Sequence, residues 1–175
     1  MQYLPFSPTL LLLVIFGGLI ACGEKDPFAD CQYGKPQPVF SNQTPRVVQH
    51  NFTIRALQGI EQVVFDNKTK LELIQKGCDD IRQEFVFEIP GSFSSQPDDF
   101  WIQRAVAQFR FLSALDPQYA DLQLWAQAIE ANAPQMKLGE NTQVQPGFFV
   151  KINRIVSTDY VILTVEFSQG TGENQ

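Results

Sequence analysis

The chain has 175 residues, of which 13 are Lys or Arg and 19 are Asp or Glu, for a formal charge of −6. That length holds one domain with a sizeable core but hardly two. Scattered basic residues on a mildly acidic chain argue against nucleic acid as a partner and against electrostatic attachment to anionic lipid headgroups.

The chain opens on an apolar run from Leu10 to Ile20. It has about the length of a signal-peptide h-region and falls short of the ~20 apolar residues that span a bilayer. The run closes on Leu19-Ile20-Ala21-Cys22, which resembles the lipobox of bacterial lipoproteins. That resemblance implies that residues 1–21 are a signal peptide and that the Cys22 thiol receives a diacylglyceryl group and becomes the new N-terminus. The membrane is then a partner through the lipid on Cys22, each buried CH₂ of an acyl chain contributing roughly 0.8 kcal/mol. Gly23 follows the cysteine where Asp would retain a lipoprotein at the inner membrane, so the same resemblance implies the outer membrane of the bacterial cell envelope, on its periplasmic or surface face.

Residues 22–46 carry Pro27, Pro36, Pro38 and Pro45 among Gly, Gln, Asn and Ser, a composition that favours irregular backbone and reads as a tether. With Cys22 given to the lipid, Cys31 and Cys78 remain, and an even pair in an exported protein is most simply a disulfide. Such a bridge would tie the tether down on the domain. Free thiols or half a metal site are the competing reading, but there is one His and no second cysteine pair, so no metal or other cofactor is expected.

From Val47 the pattern has a period of two. Val48, His50, Phe52, Ile54 and Ala56 alternate with Gln49, Asn51, Thr53 and Arg55, and Gly59 breaks the run. A second strand from Ile60 to Phe65, the polar turn Asp66-Asn67-Lys68-Thr69 and a third strand from Lys70 to Gln75 complete an antiparallel meander. A fourth strand places Phe85, Phe87 and Ile89 opposite Glu84, Val86 and Glu88 and ends at Pro90-Gly91.

The period then changes to that of a helix. Asp98 or Asp99 can cap a segment whose apolar positions Ile102, Ala105, Phe109 and Leu112 recur at three- and four-residue spacing. Asp116-Pro117 offers a fresh cap for a second helix with the stripe Leu122, Trp125, Ala126 and Ile129, stopped at Pro134. Strand character returns over Met136 to Val144 and in a last hairpin, where Phe148, Val150 and Ile152 and then Val161, Leu163, Val165 and Phe167 alternate with their neighbours. The expected fold is α+β: a single domain over 47–169, with an antiparallel sheet of about six or seven strands, two helices on one face and a disordered tail at 170–175.

Chemistry is harder to find. His50, the only histidine, would need a nucleophile and an orienting carboxylate to act as a base, and no G-x-S-x-G elbow is present; a hydrogen-bonded histidine at the edge of the core is the favoured reading. Asp79-Asp80 with Glu84 and Glu88 is the densest acidic cluster, yet the aspartates fall in a turn and the glutamates on the solvent side of a strand. Among the aromatics, Phe148-Phe149 and Phe100-Trp101 are adjacent pairs that cannot all enter one core, so part of this set is expected in an exposed partner-binding patch. The expected function is that of a lipid-anchored, non-catalytic binding or assembly module for a protein or glycan partner. An envelope hydrolase using carboxylates near Asp79 and Asp80 and a purely structural lipoprotein are the alternatives.

Overall fold

The computed structural model describes residues 26–78, 81–93 and 96–170. Among these, seven antiparallel strands form one sheet: β1 (Val47–Arg55), β2 (Gln58–Phe65), β3 (Lys70–Lys76), β4 (Arg82–Pro90), β5 (Asn141–Gln145), β6 (Phe148–Val156) and β7 (Tyr160–Gln169). Their order across the sheet is β1-β2-β3-β4-β7-β6-β5, two meanders joined where β4 pairs with β7. Between β4 and β5 run α1 (Asp98–Ser113) and α2 (Leu122–Asn132), which pack on each other and on one face of the sheet. The fold is α+β, as the two periodicities predict.

Alternation decides which side chains meet the helices. Leu71, Leu73, Phe85, Phe87, Leu163 and Val165 are all buried on that side, against Ile102, Ala105, Phe109 and Leu112 of α1. The Phe109 ring stands edge-on to Phe85 at 4.9 Å and to Phe167 at 5.2 Å, and Trp125 of α2 lies 4.2 Å from Phe167. Each fully buried side chain of this size contributes roughly 1.5–3 kcal/mol, so this aromatic centre carries much of the fold.

The N-terminal segment provides a third cover, over β1 to β3. Phe40 is buried between Phe65 and Tyr119, with ring centroids 6.3 and 5.1 Å away. The Cys31–Cys78 disulfide is present, and Gln32 N–H donates to the Cys78 carbonyl. Further along, Gln75 Nε2 donates to the Gln37 carbonyl, and the hydroxyls of Thr44 and Tyr119 lie 2.6 Å apart. Most of the stretch expected as a tether is therefore fastened to the sheet. Just before β1, the Arg46 guanidinium bonds Asp66 and holds its carboxyl below the usual carboxylate range.

Five local expectations change. The residue before α1 is Pro97, and Asp98 and Asp99 lie in the first turn of the helix, whose N-terminus has no side-chain cap. Val48 is exposed because a bulge between Val47 and Gln49 shifts the register, so the helix-facing residues of β1 are Val47, His50, Phe52 and Ile54. The first hairpin turns at Ala56-Leu57, not at Gly59. Gly59 instead lies buried within β2, where an added Cβ would fall 2.6 Å from Pro36 Cβ, so glycine is required for the close approach of the N-terminal segment. Asp116 does act as a cap, accepting from Gln118 N–H, but the turn it caps is a short 3₁₀ segment, Pro117–Tyr119, and α2 starts at Leu122. Finally, β5 begins at Asn141, after a second 3₁₀ turn over Ala133–Gln135.

Candidate binding face

One face of the sheet is sealed and the other is bare. The register places Gln49, Val64, Lys70, Glu88, Ile162 and Ile155 in one row across β1, β2, β3, β4, β7 and β6 of the bare face, with Asn51, Gln62, Glu72, Val86, Thr164 and Asn153 in the next. Over these rows a hollow of about 360 Å³ opens between β1 and β7. Its size falls within the ~300–1,000 Å³ range of ligand sites. Val64, Val86 and Ile162 supply its aliphatic part, and Gln49, Asn51 and Gln62 its amide rim. Its charges are matched locally: Lys70 Nζ lies 2.6 Å from Glu88 Oε1, and Gln62 Nε2 donates to Glu72 at 2.9 Å.

Beside the hollow the surface turns apolar. Ile162 pairs across the strands with Ile155, which is 66% exposed, and Tyr160 at the start of β7 is 37% exposed. Val156, also exposed, pairs with the buried Val161 and so lies at the rim of the opposite, helix-covered face, leaving Ile155 and Tyr160 as the shoulder of the bare face at the β6–β7 hairpin. The signal in the sequence is Ile155-Val156, two consecutive aliphatic residues ahead of the Ser157-Thr158-Asp159 turn, where strict alternation would keep one in the core.

The expected aromatic patch does not form. Trp101 is 0% exposed, beneath Phe93 and Phe100 with the Arg154 guanidinium 5.6 Å above its ring, and so it belongs to the core. Phe100, one residue earlier on α1, is half-buried with its ring edge-on to Trp101. Phe148 and Phe149 part as adjacent strand residues must: Phe148 turns to the helix side, and Phe149 lies on the bare face opposite Ser168 and Gln143. Both are half-buried. The four residues occupy three separate places because a strand turns each successive side chain by half a revolution and a helix by about a hundred degrees.

Of the acidic cluster, Asp79 and Asp80 lie outside the described residues. Glu84 and Glu88 stand on the bare face, Glu88 bound to Lys70 and Glu84 opposite Ile74 and Glu166. Cys22 also lies outside the described residues. Among those described, no group of three His, Cys, Asp or Glu side chains could hold a metal ion, and no helix is long and apolar enough to cross a membrane.

His50 proves to be paired with a residue the pattern did not single out. Glu61 is 0% exposed on the helix side of β2 and accepts from Val39 N–H at 2.8 Å and Phe40 N–H at 2.7 Å, while His50 Nε2 lies 2.7 Å from its Oε1. A buried carboxyl with both oxygens engaged in this way is a clamp on the N-terminal segment. Among the described hydrogen bonds, the side-chain partner of His50 is Glu61. Its trace in the sequence is a Glu at an inward position, between Gly59 and Val63.

No family model, curated protein or solved structure matches the chain.

Proposed function

We propose that the chain is a lipid-anchored protein of the bacterial cell envelope, acylated on Cys22 and held at the outer membrane, which binds a protein partner on the bare face of its sheet without catalysing a reaction. The observation that carries this reading is the asymmetry of the sheet: helices and the N-terminal segment seal one face, while the other keeps a hollow continuous with the shoulder of Ile155 and Tyr160. Aliphatic residues and a Tyr surrounded by polar side chains suit a protein surface. The leader and the disulfide agree with an exported, oxidised setting. A glycan is the second reading, favoured by the amide rim of Gln49, Asn51 and Gln62.

In-cell photo-crosslinking tests the choice. A crosslinker at residue 155 or 160 should capture one protein species, identified by mass spectrometry after purification from membranes. The same probe at Leu124, 61% exposed on α2, should not. Capture from 124 alone would move the interface to the helical side. No capture from any position would remove the protein-docking reading and leave the glycan reading, to be tested with Asn51→Ala on a glycan array.

A further inference from the structure

We infer that the end of the sheet carrying Leu57 and Tyr33 rests on the lipid surface, with the shoulder of Ile155 and Tyr160 held at the far end; the inference rests on the acylation of Cys22 proposed above. The register fixes the geometry. Arg55 pairs with Gln58, Gln58 with Lys76 and Lys76 with Arg82, so the β1–β2 turn and the β3–β4 connection with Cys78 share one end of the sheet. The disulfide brings Cys31 to that end, and from there back to Asp26 the chain stays compact, with Cys31 N–H donating to the Phe28 carbonyl and Ala29 N–H to that of Asp26. Only residues 23–25 separate Asp26 from Cys22. Four Cα steps reach about 14 Å at full extension, so Asp26 stands within that distance of the acylated cysteine and the disulfide-tied end of the sheet is the one kept nearest the bilayer.

What the end presents suits a lipid neighbour. Ala56 and Leu57 form a two-residue hairpin loop with φ of +47° and +65°, positions where Asn and Gly are the usual choices. Here the turn instead carries a bulky apolar side chain, 38% exposed at its tip. Tyr33, 44% exposed, lies beside Gly77 of the β3–β4 connection. Both basic side chains (Lys35, Arg55, Lys76) and acidic ones (Asp26, Asp30) flank this end, so contact depends on the apolar tips and not on lipid charge. At the other end the β6–β7 hairpin stands roughly 33 Å away, the length of a ten-residue strand such as β7, with its shoulder directed away from the membrane.

The test uses the full chain, expressed with its own leader and purified from membranes. With Cys22 acylated and Cys31 bonded to Cys78, Leu57→Cys supplies the one reactive thiol for an environment-sensitive fluorophore; Tyr33→Cys is a second probe of the same end and Ile155→Cys probes the far end. In phosphatidylcholine vesicles containing brominated lipid, the label at 57 or 33 should be quenched several-fold more than the label at 155. Equal or absent quenching at both ends, in protein whose intact mass shows the diacylglyceryl group, would overturn the inference and leave the anchor standing. Stronger quenching at 155 would reverse the orientation. An intact mass without lipid on Cys22 would overturn the anchor reading and this inference with it.

Discussion

The two faces of the sheet are built from the same strands and differ in what each residue type is for. On the sealed face, Leu71, Leu73, Phe85, Phe87, Leu163 and Val165 form an apolar field whose only buried charged-type side chain, among the described residues, is the clamped Glu61. On the bare face, aliphatic residues are interleaved with charge: Ile60 beside Ile74, Ile162 beside Ile155, Lys70 beside Glu88. The difference teaches that the core draws on one side of the layer alone, so stability and the proposed recognition are separable by mutation.

The sharpest break of that comparison is in the aromatic centre. Phe109→Ala, at the meeting of Phe85, Phe87 and Phe167, should lower the unfolding free energy in urea by about 3–5 kcal/mol. Removing the disulfide by the double change Cys31→Ser and Cys78→Ser should cost up to about 4 kcal/mol, the loop-closure term for a separation of 47 residues. Denaturation midpoints unchanged by reductant would count against it.

Smaller effects probe the clamp and the surfaces. Glu61→Gln leaves one accepting oxygen where Val39, Phe40 and His50 now share two, so stability should fall by about 2 kcal/mol. Amide exchange at residues 39 and 40 should rise with it, and protection that stays intact would show that packing of Phe40 alone holds the segment. Leu57→Gly should act in the opposite direction, stabilising by about 0.5–1 kcal/mol by relieving a left-handed non-glycine residue; a loss of stability would mean the Leu57 side chain packs more than its exposure suggests. Ile155→Ser should change stability by no more than about 0.5 kcal/mol while abolishing capture of the partner. A large thermal shift there would place Ile155 with the core and undo the division between the faces.

Much of the fold was legible because long elements repeat their signal. Phe85, Phe87 and Ile89, or Val161, Leu163, Val165 and Phe167, state a period of two several times over, and α1 states its own period along sixteen residues. What was hidden depends on single contacts between distant parts of the chain. Gly59 reads locally as a breaker, and only the approach of Pro36 explains it. Val48 matches its strand until the bulge removes it. Glu61 is an ordinary strand glutamate until the backbone of residues 39 and 40 arrives. The phenylalanines and Trp101 singled out in the sequence are half-buried or buried, whereas the large apolar side chains exposed at the end of the β6–β7 hairpin are Ile155, Val156 and Tyr160, which composition does not distinguish.

The disulfide also determines how the molecule meets mechanical load. A pull on the chain ahead of Cys31 passes through the sulfur bridge to Cys78 and enters the sheet beside β4, bypassing the N-terminal segment and β1 to β3. Force applied against the β6–β7 hairpin then runs along β4 and β7, which pair over nine residues, from Arg82–Ser168 to Pro90–Tyr160. Hydrogen bonds loaded along the strands must shear together, not peel one at a time. The bridge thus directs tension onto one of the two nine-residue pairings of the sheet and leaves the Glu61 clamp and the β1 edge unstressed.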